Sequence, residues 1–124
     1  MTTERVEHMA GGQGHTLVKR LLDEKQLNGK CKLYAQVTLE PGCSLGYHEH
    51  HGESETYYIL QGQGEYNDNG TYRPVKAGDI TFTPDNHGHA LANTGNTLRV
   101  SLDALETCAN RGKGGVYETI YHDG

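Results

Sequence analysis

Residues 48 to 55 read His-Glu-His-His-Gly-Glu-Ser-Glu, three imidazoles and three carboxylates in eight positions. Polar runs beside glycine are often no more than solvated loop, so spacing has to decide. His48 and His50 are two apart, and on an extended chain both rings face one side while Glu49 faces the other. That is chelating geometry. Glu55 opens a further β-type run after a bend at Gly52, so a hairpin can return its carboxylate to the two imidazoles. His89 begins another such run and can close the set from an opposing wall. Two or three imidazole nitrogens with one carboxylate oxygen, and positions left open, suit Mn, Fe, Co, Ni or Zn better than Ca or Mg. Eight histidines in 124 residues will produce a chance H-x-H pair, so on this pair alone idle polar side chains remain an alternative.

The elements that must position these residues read as short strands. Cys31, Leu33, Ala35, Val37 and Leu39 alternate with Lys32, Tyr34, Gln36, Thr38 and Glu40, the period of a half-buried strand ended by Pro41-Gly42. Further runs at 56–61, 64–67, 72–75, 79–83, 89–93 and 98–104 are each bounded by turn residues. Asn69-Gly70 between Tyr66 and Tyr72 marks a hairpin, because both central positions of a type I′ turn need positive φ. Many short strands with such turns imply an all-β domain, a small barrel or jelly roll. Residues 1–30 read as a lead-in containing Gly11-Gly12-Gln13-Gly14. Within it, 16–27 fits a helix through Leu17, Val18, Leu21 and Leu22, or opens as a strand. Residues 31–104 form the core, and 105–124 read as a glycine-rich tail ending in a short strand, Val116 to Tyr121, available to a partner chain.

Composition bounds the partners. A chain of 124 residues suits one domain. Seventeen glycines with three prolines follow no fixed period, which fits many tight turns. The formal charge of -5 and the lack of a basic stripe argue against nucleic acid. The apolar run after Lys19 and Arg20 is too short for a signal sequence or membrane span, so the expected location is cytoplasmic. Cys31, Cys43 and Cys108 lack C-x-x-C spacing and imply neither a disulfide framework nor a zinc ribbon.

The region from Gly42 reads G-x5-H-x-H-x4-E-x6-G through His48, His50 and Glu55 to Gly62. Gly78, Pro84, His89 and Asn93 then stand at the intervals of G-x5-P-x-G-x2-H-x3-N, with Asn86 for the middle glycine. Nine of ten fixed positions match in order, and the pair resembles the two signatures of the cupin superfamily. The likeness spans about residues 31–104 and points to the small single-domain members described as oxalate-decarboxylase-like or mannose-6-phosphate-isomerase-like. It implies a double-stranded β-helix, a jelly-roll barrel holding one divalent transition metal, with His48, His50, Glu55 and His89 as ligands. It also implies a homodimer. Asn at 86 is a mild departure, since Asn tolerates positive φ. Glu53 is an alternative ligand to Glu55, but only Glu55 has the family interval.

Tyr57 shares the parity of Glu55 on a regular strand, so its hydroxyl can line the cavity, and Tyr57 or Glu53 could move a proton. His51 lies in the bend and His87 in the turn after Pro84. His8, His15 and His122, in the terminal segments, are expected to be solvated. A metal with open positions can decarboxylate, isomerise or oxygenate a small oxygen-rich molecule such as a hydroxy or keto acid or a sugar derivative. The alternative from another class is a binding or sensing module that holds such a molecule unchanged. Fold kinship alone does not choose between them.

Overall fold

The computed structural model describes residues 2–108. Ten strands run in chain order: β1 Thr3–Glu7, β2 His15–Arg20, β3 Cys31–Leu39, β4 Ser44–Glu49, β5 Glu53–Gln61, β6 Gln63–Asp68, β7 Thr71–Lys76, β8 Ile80–Thr83, β9 Gly88–Ala92 and β10 Val100–Cys108. They form a six-stranded sheet, β1-β2-β3-β10-β5-β8, and a four-stranded sheet, β4-β9-β6-β7. The paired strands are antiparallel. The jelly-roll reading therefore holds.

Period-2 alternation packs the two sheets against each other. Ala35, Val37 and Leu39 of β3 are buried, while Tyr34, Gln36 and Thr38, which alternate with them, are only partly so. Ile59 and Leu102 add to that inner face, and Leu45, Tyr66, Val75 and Leu91 meet it from the smaller sheet. Burying such side chains contributes roughly 1.5–3 kcal/mol each relative to leaving them exposed. The Asn69-Gly70 hairpin forms as expected, with φ of 52° and 103°, and Gly70 N–H donates to Asn67 Oδ1 at 2.7 Å.

The first thirty residues contribute more than a lead-in. Strands β1 and β2 pair with each other, and β2 pairs with β3, Val18 opposite Val37 and Thr16 opposite Leu39. The strand reading of this stretch prevails over the helical one because Thr16 and Val18 bury on one face while Leu17 and Lys19 stay partly exposed on the other. Helix is confined to one turn, α1 Glu24–Leu27, where Asp23 and Gln26 form a reciprocal capping box. Strand β10 continues to Cys108, beyond the expected end of the core at 104. The proposed strand at 116–121 lies outside the described residues. Among the described residues no helix is long and apolar enough to cross a membrane.

Candidate metal centre

Strands from both sheets deliver the four side chains to one point. His48 on β4 lies directly opposite His89 on β9. His50 follows the end of β4 and stays tied to the neighbouring turn, its N–H donating to His87 O at 3.0 Å and its carbonyl accepting from Asn86 N–H at 2.7 Å. Asn86 has φ of 69°, so its amide side chain occupies a left-handed position that glycine would fill without strain. Gly52, at φ 87°, makes the bend into β5. There Glu55, Tyr57 and Ile59 point inward and are buried.

The donor atoms converge closely. His89 Nε2 lies 3.0 Å from His50 Nε2, 3.1 Å from His48 Nε2 and 3.0 Å from Glu55 Oε1. Glu55 Oε1 is also 3.1 Å from His50 Nε2 and 3.8 Å from His48 Nε2. The other ring nitrogens are committed elsewhere. His48 Nδ1–H donates to the main-chain oxygen of Gly46 at 2.8 Å. His50 Nδ1 faces Glu106 Oε2 at 3.1 Å. His89 Nδ1 lies 2.9 Å from the hydroxyls of both Tyr66 and Thr83.

This arrangement fits a cation. An acceptor facing Nδ1 keeps the ring proton there, so neutral His48 and His50 present Nε2 lone pairs. A proton on His89 Nε2 can satisfy only one of its three close neighbours. The remaining contacts between lone pairs become attractions when a metal ion stands among them. Two ligands about 2.1 Å from a common ion and at right angles to it lie about 3.0 Å apart, close to the spacing of most of these pairs.

The electrostatics follow from the packing. Burial works against ionisation of Glu55, but the facing imidazoles, His50 and His89 at hydrogen-bonding distance and His48 farther off, overcome it when they carry a proton on Nε2 and hold the carboxyl well below its usual range. The nearby Glu55 carboxylate raises His48 and His50 above the ordinary imidazole value, against the opposing effect of burial. His89 moves down because desolvation dominates. Burial raises Tyr57 well above the ordinary phenol value and also raises Glu106, to which the nearby Glu55 charge adds.

A cavity of about 280 Å³ opens beside the cluster, with His48, His50, Glu55 and Tyr57 among its polar lining and Leu33 and Val37 among its apolar lining. Glu49, Glu53 and Glu106 also line it, and among the described residues no lysine or arginine does. Tyr57 stacks on the His89 ring, centroids 4.7 Å apart, and its hydroxyl is 3.3 Å from His89 Nε2. Glu53 sits farther out, its Oε2 3.3 Å from Lys32 Nζ and its Oε1 3.8 Å from His50 Nδ1. His51 is exposed and bonds Asn86 Oδ1. His15 departs from the expectation of a solvated side chain: it is largely buried and bonds Glu40. Glu106, Tyr66 and Thr83 lie outside the motif reading. The inward parity of Leu102, Ala104 and Glu106 on β10 is the signal that points to the first of them.

Comparison with known proteins agrees with this geometry. The Cupin domain model matches residues 35–106. The oxalate-binding protein of Thermotoga maritima is 45% identical over 97 residues, covering 78% of this chain and 80% of that protein. A crystal structure described as a predicted oxalate decarboxylase from the same organism superposes with TM-score 0.83 at 42% identity, covering 87% of this chain and 93% of the other. The Schizosaccharomyces pombe Cnp3 cupin domain, at 16% identity and TM-score 0.68 over 85% of this chain and 68% of the other, shares the fold.

Proposed function

This chain belongs to the cupin family, and from that premise we propose that it holds one divalent transition metal on His48, His50, Glu55 and His89 and acts there on a small oxygen-rich molecule. The observation that carries the reading is the convergence of these four side chains, donor atoms all within 4.8 Å of one another, beside a cavity. Mn, Fe, Co, Ni and Zn all suit the donor set. The cavity is small by the standard of ligand sites, roughly 300–1,000 Å³, which favours a compact hydroxy acid, keto acid or sugar derivative. When bound, such an ion polarises ligand oxygens and lowers the pKa of bound water, serving decarboxylation, isomerisation or oxygenation. Tyr57, kept protonated by its burial, donates to a ligand oxygen. Glu53 holds or accepts a proton at the side of the cavity, and Leu33 and Val37 limit the entry of water.

A second reading, metal-assisted binding without turnover, is favoured by one observation. Among the described residues no lysine or arginine lines the cavity to clamp an anion, so the metal would supply the positive charge. The Thermotoga relative is named for oxalate binding, which makes oxalate the first ligand to test. The experiment is elemental analysis of the purified protein, followed by calorimetry and product detection with oxalate and a panel of hydroxy, keto and sugar acids. Product formation that disappears in His50→Ala supports the enzyme. Saturable binding with no product supports the second reading, and a protein that neither carries nor takes up metal contradicts both.

We further infer a homodimer formed through the outer face of β5 and β8. Ile80 and Phe82 are 63% and 57% exposed there, beside exposed Tyr58 and Leu60, and an edge strand of this kind invites a partner. Phe82→Glu is expected to give monomers in sedimentation. A cytoplasmic location fits the free thiols of Cys31 and Cys43.

A further inference from the structure

The three imidazoles of the cluster are held by three kinds of partner. A main-chain carbonyl orients His48, and two hydroxyls face His89. His50 alone meets a carboxylate, Glu106 Oε2, 3.1 Å from its Nδ1. Glu53 reaches the same nitrogen only at 3.8 Å and is already engaged by Lys32. The His50 and Glu106 side chains are 4% and 14% exposed, so little water screens the pair.

The choice of a carboxylate carries a cost. Glu106 lies directly across from Glu55 on the inner face of the sheet, and like charges opposed on neighbouring strands destabilise. A neutral acceptor would satisfy His50 Nδ1–H without that repulsion. Local conflicts of this kind collect at functional positions. A carboxylate behind a ligating imidazole fixes the ring and its tautomer and raises the basicity of the ligating nitrogen. With Glu55 Oε1 at 3.1 Å from Nε2 and Glu106 Oε2 at 3.1 Å from Nδ1, His50 is bracketed by charge on both sides.

We propose that Glu106 is a positioning residue for His50: its carboxylate accepts the Nδ1–H, turns the Nε2 lone pair toward Glu55 and His89, and strengthens that nitrogen as a metal donor. The inference rests on the metal-site reading of the previous section and assigns the charge behind one ligand to a named side chain.

The test is Co²⁺ binding to metal-free protein, followed by ligand-field absorption in competition with a chelator. Glu106→Ala is expected to weaken binding about 10–100-fold. Glu106→Gln, which keeps an acceptor but not the charge, should fall between Glu106→Ala and wild type. Glu40→Gln, whose carboxylate bonds His15 away from the cluster, should stay within about twofold of wild type. Binding by Glu106→Ala and Glu106→Gln within about twofold of wild type, the scatter allowed for near-neutral substitutions, would overturn the proposal. Ring ¹⁵N shifts of His50 in the metal-free protein, taken at alkaline pH where the ring is neutral, give a readout that needs no metal. The single proton is expected on Nδ1 in wild type and as a mixture of the Nδ1–H and Nε2–H tautomers in Glu106→Ala. A wild type that takes up no Co²⁺ refutes the metal site. In that case an unchanged ring spectrum in Glu106→Ala refutes the positioning role as well, and a changed one retains it.

Discussion

His15 and His89 each stand within hydrogen-bonding distance of a glutamate, His15 of Glu40 and His89 of Glu55, yet their surroundings differ. The His15 ring is spanned by two partners, Glu40 Oε1 at 2.5 Å from Nε2 and the Cys43 thiol at 3.9 Å from Nδ1. No second imidazole is placed against it in these contacts, and the Glu40 side chain is 40% exposed. Around His89 one nitrogen meets two hydroxyls while the other meets two further imidazoles and a buried carboxylate. His48, His50 and Glu55 line a cavity that His15 does not. An imidazole–carboxylate pair is thus a common way to satisfy a polar side chain. A candidate metal centre needs several nitrogens whose second positions are already occupied, so that their lone pairs have nothing to meet but each other.

The sharpest separation of the two clusters is metal content. His89→Ala should lower it from about one equivalent to about a tenth or less, whereas His15→Ala keeps the wild-type value, both read by elemental analysis. Equal loss in the two variants would abolish the distinction. Neither substitution should unfold the barrel, because the apolar core between the sheets is complete without an ion. A His48→Ala/His50→Ala protein should give a cooperative melt, and one without a transition would show that the metal serves folding.

A smaller effect lies in the pH dependence of the metal-free protein. The folded state holds Glu55 below its ordinary value of 4.5. Its contribution is therefore present above about pH 4.5 and is lost as pH falls through the lower folded value. Glu55→Gln should accordingly be less stable than wild type by about 2 kcal/mol at pH 7, as expected for loss of charged hydrogen bonds. The gap should narrow in acid below pH 4.5, measured as urea midpoints across a pH series. A gap that widens in acid would show that the three imidazoles do not hold the carboxylate ionised.

At the other cluster Glu40→Gln should cost less than Glu55→Gln under the same conditions, because solvent already screens that carboxylate. An equal cost would erase the difference in burial on which the comparison stands. The smallest change is expected at the bend beside His50. Asn86→Gly should alter stability by less than about 1 kcal/mol and leave metal content intact, since glycine adopts this φ freely. A loss of metal would show that the Asn86 side chain, and not its main chain, supports the ligand.

Much of this was legible in the residues. Alternation along Ala35, Val37 and Leu39 announced the inner face of β3, and Asn69-Gly70 announced its hairpin. The two-residue spacing of His48 and His50 put both rings on one side. The stretch at 15–20 was ambiguous because Leu17, Val18, Leu21 and Leu22 satisfy a helical period as well as a strand. Pairing with β3 decided it, and a single sequence does not contain that information. Strand β1 escaped for a related reason: Thr3–Glu7 leaves only Val6 partly buried, so its pattern carries almost no apolar signal and its place depends on the edge of β2. The burial of His15 is not legible in the sequence because its partners Glu40 and Cys43 are remote in it.

The sequence by itself determined the strands of the core, the turn positions and the identity of the four converging side chains, because period and interval are local properties of a chain. Tertiary structure decided what stands behind each imidazole. Gly46, Glu106, Tyr66 and Thr83 reach the imidazole Nδ1 atoms from positions set by strand order and register. Two of those four contacts, Glu106 to His50 and Tyr66 to His89, join residues far apart in sequence, and a long-range pair acquires its energy only when the two sheets close and exclude water between them.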